Sequence, residues 1–273
     1  AAVFAKALPV LPVALPQESV PGRPNPAQAE AVLASIRRAV ELAQAGEASG
    51  IVTNPIQKSN LSAAGFGFPG HTEYLEHLAG PGHHAQMMLA GRGLRVVLVT
   101  IHEPLAKAIA RLTTEMIVEA GLRAAASFRS DLGIRNPRIA VAGLNPHAGE
   151  DGTIGLEDRT IVAPAVTALQ KAGVRAFGPL PPDTMFTTRA RKGYDVALCL
   201  YHDQGLIPLK TLDIMGGVNV TLGLPFIRTS PDHGTALDIA GKGVAEATSL
   251  IAAIHRAAKL AERRLSGVQV GSL

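Results

Sequence analysis

Tyr194-Asp195-Val196-Ala197-Leu198-Cys199-Leu200-Tyr201-His202-Asp203-Gln204-Gly205 carries the clearest structural signal in the chain. Val196 to Tyr201 is apolar without alternation, so this strand is covered on both faces, as strands of parallel sheets are. The run ends abruptly in His202-Asp203-Gln204-Gly205, and ligands in such sheets collect just beyond the carboxyl ends of the strands. Cys199 lies inside the run and reads as a buried strand residue; as the only cysteine it excludes an internal disulfide.

The same grammar recurs on either side. Gly50–Asn54, Leu94–Ile101, Arg138–Leu144 and Val174–Phe177 read as further strands. Asn25-Pro26 opens a helix in which Val32, Ile36, Val40 and Ala43 recur at helical spacing until Gly46. Helices are also expected after Pro104 and over Met116–Phe128, Glu157–Ala172 and Asp183–Lys192. Ser249–Leu265 reads as the last helix, with Ile251, Ile254, Ala258, Ala261 and Leu265 inward. Apolar strands alternating with helices predict an α/β fold with a mostly parallel sheet. No repeat or linker marks a domain boundary, so residues 1–273 read as one unit whose two α/β subdomains are intertwined.

Composition narrows the function. The chain has 273 residues, 47% hydrophobic and 18% charged, a globular balance. Net charge is +4, which suits an anionic substrate. The basic residues are scattered and aromatics are few, which argues against nucleic acid. No segment is apolar for long enough to span a membrane. The opening residues 1–16 lack the pattern of a secretion signal, and the single cysteine fits a cytoplasmic setting.

Three strands end at a histidine: His102, His147 and His202. Parallel strands would set these ends on one edge, where neutral imidazoles suit a zinc-class divalent ion. The separations of 45 and 55 residues match no local metal motif. Spacing alone therefore leaves open a shared metal or three independent strand-end histidines. His77, His83, His84 and His255 read as solvated or locally hydrogen-bonded.

Longer strings go beyond this pattern. They are Val52-Thr53-Asn54-Pro55-Ile56-Gln57-Lys58, Pro69-Gly70-His71-Thr72-Glu73, Gly143-Leu144-Asn145-Pro146-His147-Ala148-Gly149-Glu150, Tyr201-His202-Asp203-Gln204-Gly205, and Leu222–Ser230 continuing to Asp232-His233-Gly234-Thr235-Ala236. Together, over residues 25–265, they resemble the 4-hydroxythreonine-4-phosphate dehydrogenase family of vitamin B6 biosynthesis. The resemblance implies a two-domain fold like isocitrate and isopropylmalate dehydrogenases. That fold is not a Rossmann domain, and no G-x-G-x-x-G fingerprint follows a strand here. A homodimer with the active site at its interface is also implied. The family's opening strand and Gly-Asp-Pro-Ala-Gly-Ile-Gly-Pro-Glu loop have no counterpart in these residues, which bears on cofactor binding.

The implied reaction is NAD- or NADP-dependent oxidation of 4-phosphohydroxy-L-threonine at C3, then decarboxylation to 3-amino-2-oxopropyl phosphate. The resemblance assigns His102, His147 and His202 to one divalent ion (zinc, cobalt or magnesium), which would polarise the substrate C–O group. It assigns His71, Thr72, Lys210, Asn219 and Arg228 to the substrate, the cations suiting its phosphate. Lys210 is also a catalytic candidate. Asp203 and Asp183 are candidates for the base or for orienting a ligand histidine, Asp183 equally for capping a helix. His233 reads as positioning the dinucleotide or its loop, and Asn54 and Lys58 as a strand-end site or a turn. Competing readings are the same chemistry on phosphothreonate or phosphoerythronate, or a non-redox acyl transferase or binding protein on this scaffold.

Overall fold

The computed structural model describes residues 3–268, with side chains to residue 266. Its strands are β1 (Ile51–Val52), β2 (Gln86–Gly91), β3 (Leu94–Leu98), β4 (Arg138–Ala142), β5 (Arg175–Leu180), β6 (Val196–Cys199), β7 (Val218–Leu222) and β8 (Arg228–Pro231). They form one sheet in the order β1-β8-β7-β2-β3-β6-β4-β5. The helices are α1 (Ala29–Gln44), α2 (Lys58–Ala63), α3 (His71–Ala79), α4 (Leu105–Arg111), α5 (Thr114–Ser130), α6 (Ala163–Lys171), α7 (Pro182–Met185), α8 (His202–Leu212) and α9 (Thr248–Val268).

Four of the seven strand pairings are parallel, so the expected mostly parallel α/β architecture holds. The three antiparallel pairings run consecutively through β8, β7, β2 and β3. A two-residue turn explains how β2 pairs with β3. Arg92 and Gly93 both have positive φ (32° and 75°), the geometry that folds a strand back on its neighbour.

One face of the sheet is sealed by α5, α6 and α9, which contribute Ile117, Phe128, Leu169, Ala253 and Leu260 to a single cluster. On the other face Leu206 and Leu209 of α8 pack with Leu94, Val96 and Leu98 of β3. Gly205 permits that approach: a Cβ there would stand 2.7 Å from Leu98 Cδ2 and 3.3 Å from Cys199 Sγ. Cys199 is fully buried, as its place in an apolar run implies.

Two expectations need correction. The last helix forms, but Ile251, Ile254, Ala258 and Leu265 are exposed, and the buried stripe is Ala253, Ala257, Leu260 and Ala261. The helix carries two apolar stripes, and the one rich in alanine wins because small side chains let it lie close against β8. The helix expected over Asp183–Lys192 is instead two short turns, Pro182–Met185 and Ala190–Gly193.

Candidate active site

β3, β6 and β4 are neighbours and parallel, so the segments leading to His102, His202 and His147 leave the sheet at one edge. Side-chain clamps fix how they leave. Buried Gln204 accepts from Leu200 N and donates to Gly143 O, both at 2.7 Å, tying the end of β6 to the end of β4. Thr100 Oγ1 donates to Leu200 O at 2.8 Å, tying β3 to β6. These bonds satisfy backbone groups where the ladder stops.

His102 and His202 face each other, with ring centroids 5.7 Å apart. Burial, and then the positive charge of Lys58 and the neighbouring His202 ring, lower the pKa of His102 and so favour the neutral form, which offers a ring nitrogen to a metal. His202 Nδ1 lies 2.7 Å from Asp203 Oδ1, a contact that fixes the ring's orientation. Asp203, His102 and His202 line one cavity of about 300 Å³ with Tyr201 and Leu105.

His147 stands apart and lines neither this cavity nor the larger one beside it. Its turn runs through six consecutive residues of positive φ, His147 to Gly152, four of them not glycine. Left-handed backbone costs about 1–2 kcal/mol at each non-glycine residue. Buried Asp158 holds the preceding segment in place, accepting from Leu144 N at 2.7 Å, Asn145 N at 2.9 Å and Asn145 Nδ2 at 3.1 Å. Asp183 is exposed on α7, which packs against the His147 turn, and it too lies outside both cavities. It does not cap that helix, whose N-cap is Pro181. Among the described residues, no three histidine, cysteine, aspartate or glutamate side chains of one chain gather closely enough to hold a metal.

The larger cavity, about 750 Å³, brings together His71, Thr72, Lys210, Asn219 and Arg228, and His102 also lies on its wall. Arg228 comes from β8 and is 3% exposed. Its Nη1 donates to Thr221 Oγ1 at 2.9 Å and its Nη2 to Thr53 Oγ1 at 2.8 Å, while its Nε has no partner among the described residues. Burial lowers its pKa to about 10. Asn219 Oδ1 on β7 is likewise buried without a partner. Lys210, in the last turn of α8, is 3.0 Å from Asp232 Oδ2. His71 opens α3, whose N-terminus has no side-chain cap and so presents free N–H groups. Burial, then the charges of Arg228 and Lys58, push His71 down to about 4, leaving it neutral.

Nothing in the sequence reading gives a role to Thr53, Glu73, Gln204 or Asp232, although all four lie inside the quoted strings. Asp158 lies outside them, and its only signal is an acidic residue at the start of a helix. His77 packs on Phe68 with ring centroids 5.0 Å apart, and His84 lies 3.6 Å from Glu76, both local roles. No helix among the described residues is long and apolar enough to cross a membrane.

Residues 1–257 match the family model described as pyridoxal phosphate biosynthetic protein PdxA. The chain is 55% identical over 269 residues to a 4-hydroxythreonine-4-phosphate dehydrogenase of Caulobacter vibrioides, covering 97% of this chain and 81% of the relative. A crystal structure of the Klebsiella pneumoniae enzyme of that name superposes with a TM-score of 0.85 at 43% identity, covering 92% of this chain and 76% of that one. A terephthalate 1,2-cis-dihydrodiol dehydrogenase from Burkholderia xenovorans is similar at 32% identity and a TM-score of 0.67, covering 91% and 79%. The chain therefore belongs to the PdxA family of pyridoxal phosphate biosynthetic enzymes.

Proposed function

We propose that this chain oxidises 4-phosphohydroxy-L-threonine at C3 with NAD or NADP and a divalent metal, and that decarboxylation to 3-amino-2-oxopropyl phosphate follows. The observation that carries the substrate class is Arg228, a buried guanidinium with a free Nε and only neutral hydrogen-bond partners, on the wall of a large cavity. A buried cation without a carboxylate is unfavourable until an anion arrives. The uncapped N-terminus of α3 also favours an anion, and neutral His71 adds no competing charge. Asn219 Oδ1 accepts from the substrate's donors, and Thr72 and Lys210 complete the contacts.

His102 and His202 are the ion's ligands within one chain, neutral His102 offering a lone pair and Asp203 orienting His202. His147 would complete the set across a homodimer in which two chains share each site. When bound, the ion would supply Lewis acidity at the reacting C–O group and the dinucleotide a hydride acceptor. Asp203 and Asp183 are the candidate proton acceptors, Asp203 being the one beside the histidine pair. A second groove of about 640 Å³ shares Asn54–Gln57 and His233–Thr235 with the substrate cavity and offers room for the dinucleotide. The setting is cytoplasmic, in keeping with a lone, buried thiol.

Reduction of NAD or NADP by the metal-loaded protein, measured with 4-phosphohydroxy-L-threonine, phosphothreonate and phosphoerythronate, tests the reading. Turnover is expected with the first, and its loss on chelation. No turnover with the first but turnover with another would move the substrate, and none with any would remove the dehydrogenase reading. A fully active monomer by light scattering would remove the shared site.

A further inference from the structure

We propose that Lys58 is a specificity-determining residue of this site, the cation that makes the cavity select a dianionic phosphate monoester over a singly charged acid. This role rests on the substrate reading above and falls to a residue for which the family resemblance supplied no contact.

Lys58 is the first residue of α2 and directly follows the strand-end string Asn54-Pro55-Ile56-Gln57. Its side chain reaches back over the start of α3. Both Lys58 Cε and Nζ lie 3.3 Å from where a Cβ on Gly70 would stand, and Gly70 is the N-cap of that helix. The backbone at Gly70 is fully extended (φ −177°), so its conformation does not call for glycine. What glycine supplies is room for the ammonium beside the free N–H groups of His71 and Thr72.

The charges in the cavity are unequal in their freedom. Three cations line it, Lys58, Lys210 and Arg228, against two carboxylates, Glu73 and Asp232, with His71, His102 and His233 the other titratable groups on its wall. Lys210 is already paired with Asp232 at 3.0 Å. Arg228 has only hydroxyl partners. Among the described residues Lys58 has no ion pair within 4.0 Å and no hydrogen bond through its ammonium. Glu73 shares the corner, with Oε2 3.4 Å from the same point beside Gly70, yet it forms no ion pair within that limit with either cation. His71, at the same helix end, has its pKa lowered by burial, then by the charges of Arg228 and Lys58, in keeping with an ammonium that faces the cavity.

A surplus of one positive charge in the free site suits a dianion, and removing Lys58 abolishes the surplus. Arg228 alone would still hold one negative charge, so the loss falls on the second ionisation of the phosphate, at about pH 6. A carboxylate or a phosphate monoanion makes less use of Lys58. Because Lys58 is exposed at the cavity's rim, its substitution leaves the buried machinery in place.

The test uses the full chain with Lys58→Met and Lys58→Arg, and Arg228→Met as a reference. Inorganic phosphate is titrated by calorimetry at pH 7.5 and pH 5.5, and KM and kcat are measured with the phosphorylated substrate at both. Loss of one charge-assisted contact predicts phosphate binding weaker by about ten- to a hundredfold in Lys58→Met at pH 7.5. KM should rise in step while kcat changes little, and Lys58→Arg should restore most of both. The gap between wild type and Lys58→Met should narrow at pH 5.5. Equal phosphate affinity in wild type and Lys58→Met, or a fall in kcat with KM unchanged, overturns the role of Lys58. If wild type and Arg228→Met both fail to bind phosphate, the anion site itself is misplaced and both readings fall. Thermal midpoints of the variants exclude misfolding as the cause.

Discussion

Replacing Arg228 with methionine separates what that residue does for the fold from what it does for the ligand. Burial that lowers the guanidinium to a pKa of about 10 corresponds to a penalty of roughly 3 kcal/mol on the charged form, at about 1.36 kcal/mol per tenfold. The group stays charged at neutral pH, so the folded protein carries that cost. Two hydrogen bonds from a charged donor to Thr53 and Thr221 return about 1.5 kcal/mol each, nearly balancing it. Methionine fills similar space without charge, so the net change in stability should lie within about 1 kcal/mol. For a chain of this size that is a midpoint shift of no more than roughly 4 °C. Truncating one partner of a buried, hydrogen-bonded charge pair, by contrast, costs about 2–5 kcal/mol in binding. The expected outcome is a protein as heat-stable as the wild type whose kcat/KM is lower by about thirtyfold or more. Midpoints are read by calorimetry with and without phosphate, and the phosphate-induced rise should vanish in the variant. A drop of about 10 °C without phosphate would show that Arg228 serves the core, and unchanged kcat/KM would end its assignment to the substrate.

His71 gives a pH test: its folded pKa of about 4 lies below the ordinary 6.5, so the unfolded chain binds the proton more readily between those values. The wild type should therefore lose up to about 3 kcal/mol as pH falls from 6.5 towards 4, and His71→Asn should lose less over that window. Urea midpoints compare the two, and parallel curves would contradict the burial argument. Gly205→Ala should lower the thermal midpoint by several degrees, because a clash at 2.7 Å with Leu98 outweighs the roughly 1 kcal/mol that alanine gains in helix propensity. An unchanged or raised midpoint would mean that α8 can shift freely. Gln204→Leu leaves Leu200 N and Gly143 O buried without partners and should cost about 2–6 kcal/mol, along with divalent-ion affinity measured by titration. A stable variant with wild-type ion affinity would show that the clamp holds nothing the site needs.

The parts of the fold legible in the sequence are those where one period dominates. Val196–Cys199, Ile139–Ala142 and Val96–Leu98 are uninterrupted apolar runs, and each leads to the histidine expected at its end. β2 is not legible because Gln86–Gly91 is buried at every position, leaving no alternation, and its methionines and glycine favour no one element. The periodicity of α9 marks the helix but points to the wrong face: its largest apolar residues suggest an inward stripe, whereas close packing on β8 requires the smallest. Asn219, Thr221 and Arg228 read as ordinary strand or surface residues by composition. Arg228 lies in a quoted string, Asn219 is singled out only by the family resemblance and Thr221 by neither, yet in the structure Thr221 is bonded to Arg228 in the cavity wall. The pairing of Lys210 is invisible in the sequence, because Asp232 lies 22 positions away, beyond two intervening strands.

His147 sharpens the relation between sequence and site. Neighbouring strands are about 4.8 Å apart, so a histidine just past β4 starts as close to β6 as His102 does. Proximity at the sheet edge is thus available to all three, yet only His102 and His202 meet. The difference is made by the turn from His147 to Asp151, held left-handed at several kcal/mol of backbone cost and anchored by Asp158. A relaxed turn would have been less costly had His147 served only its own chain. A strained turn that withholds a strand-end histidine from its two neighbours is better accounted for if it presents that histidine to a second copy. The dimer proposed above would give His147 that role, with a second copy receiving the side chain that the turn withholds from its own chain.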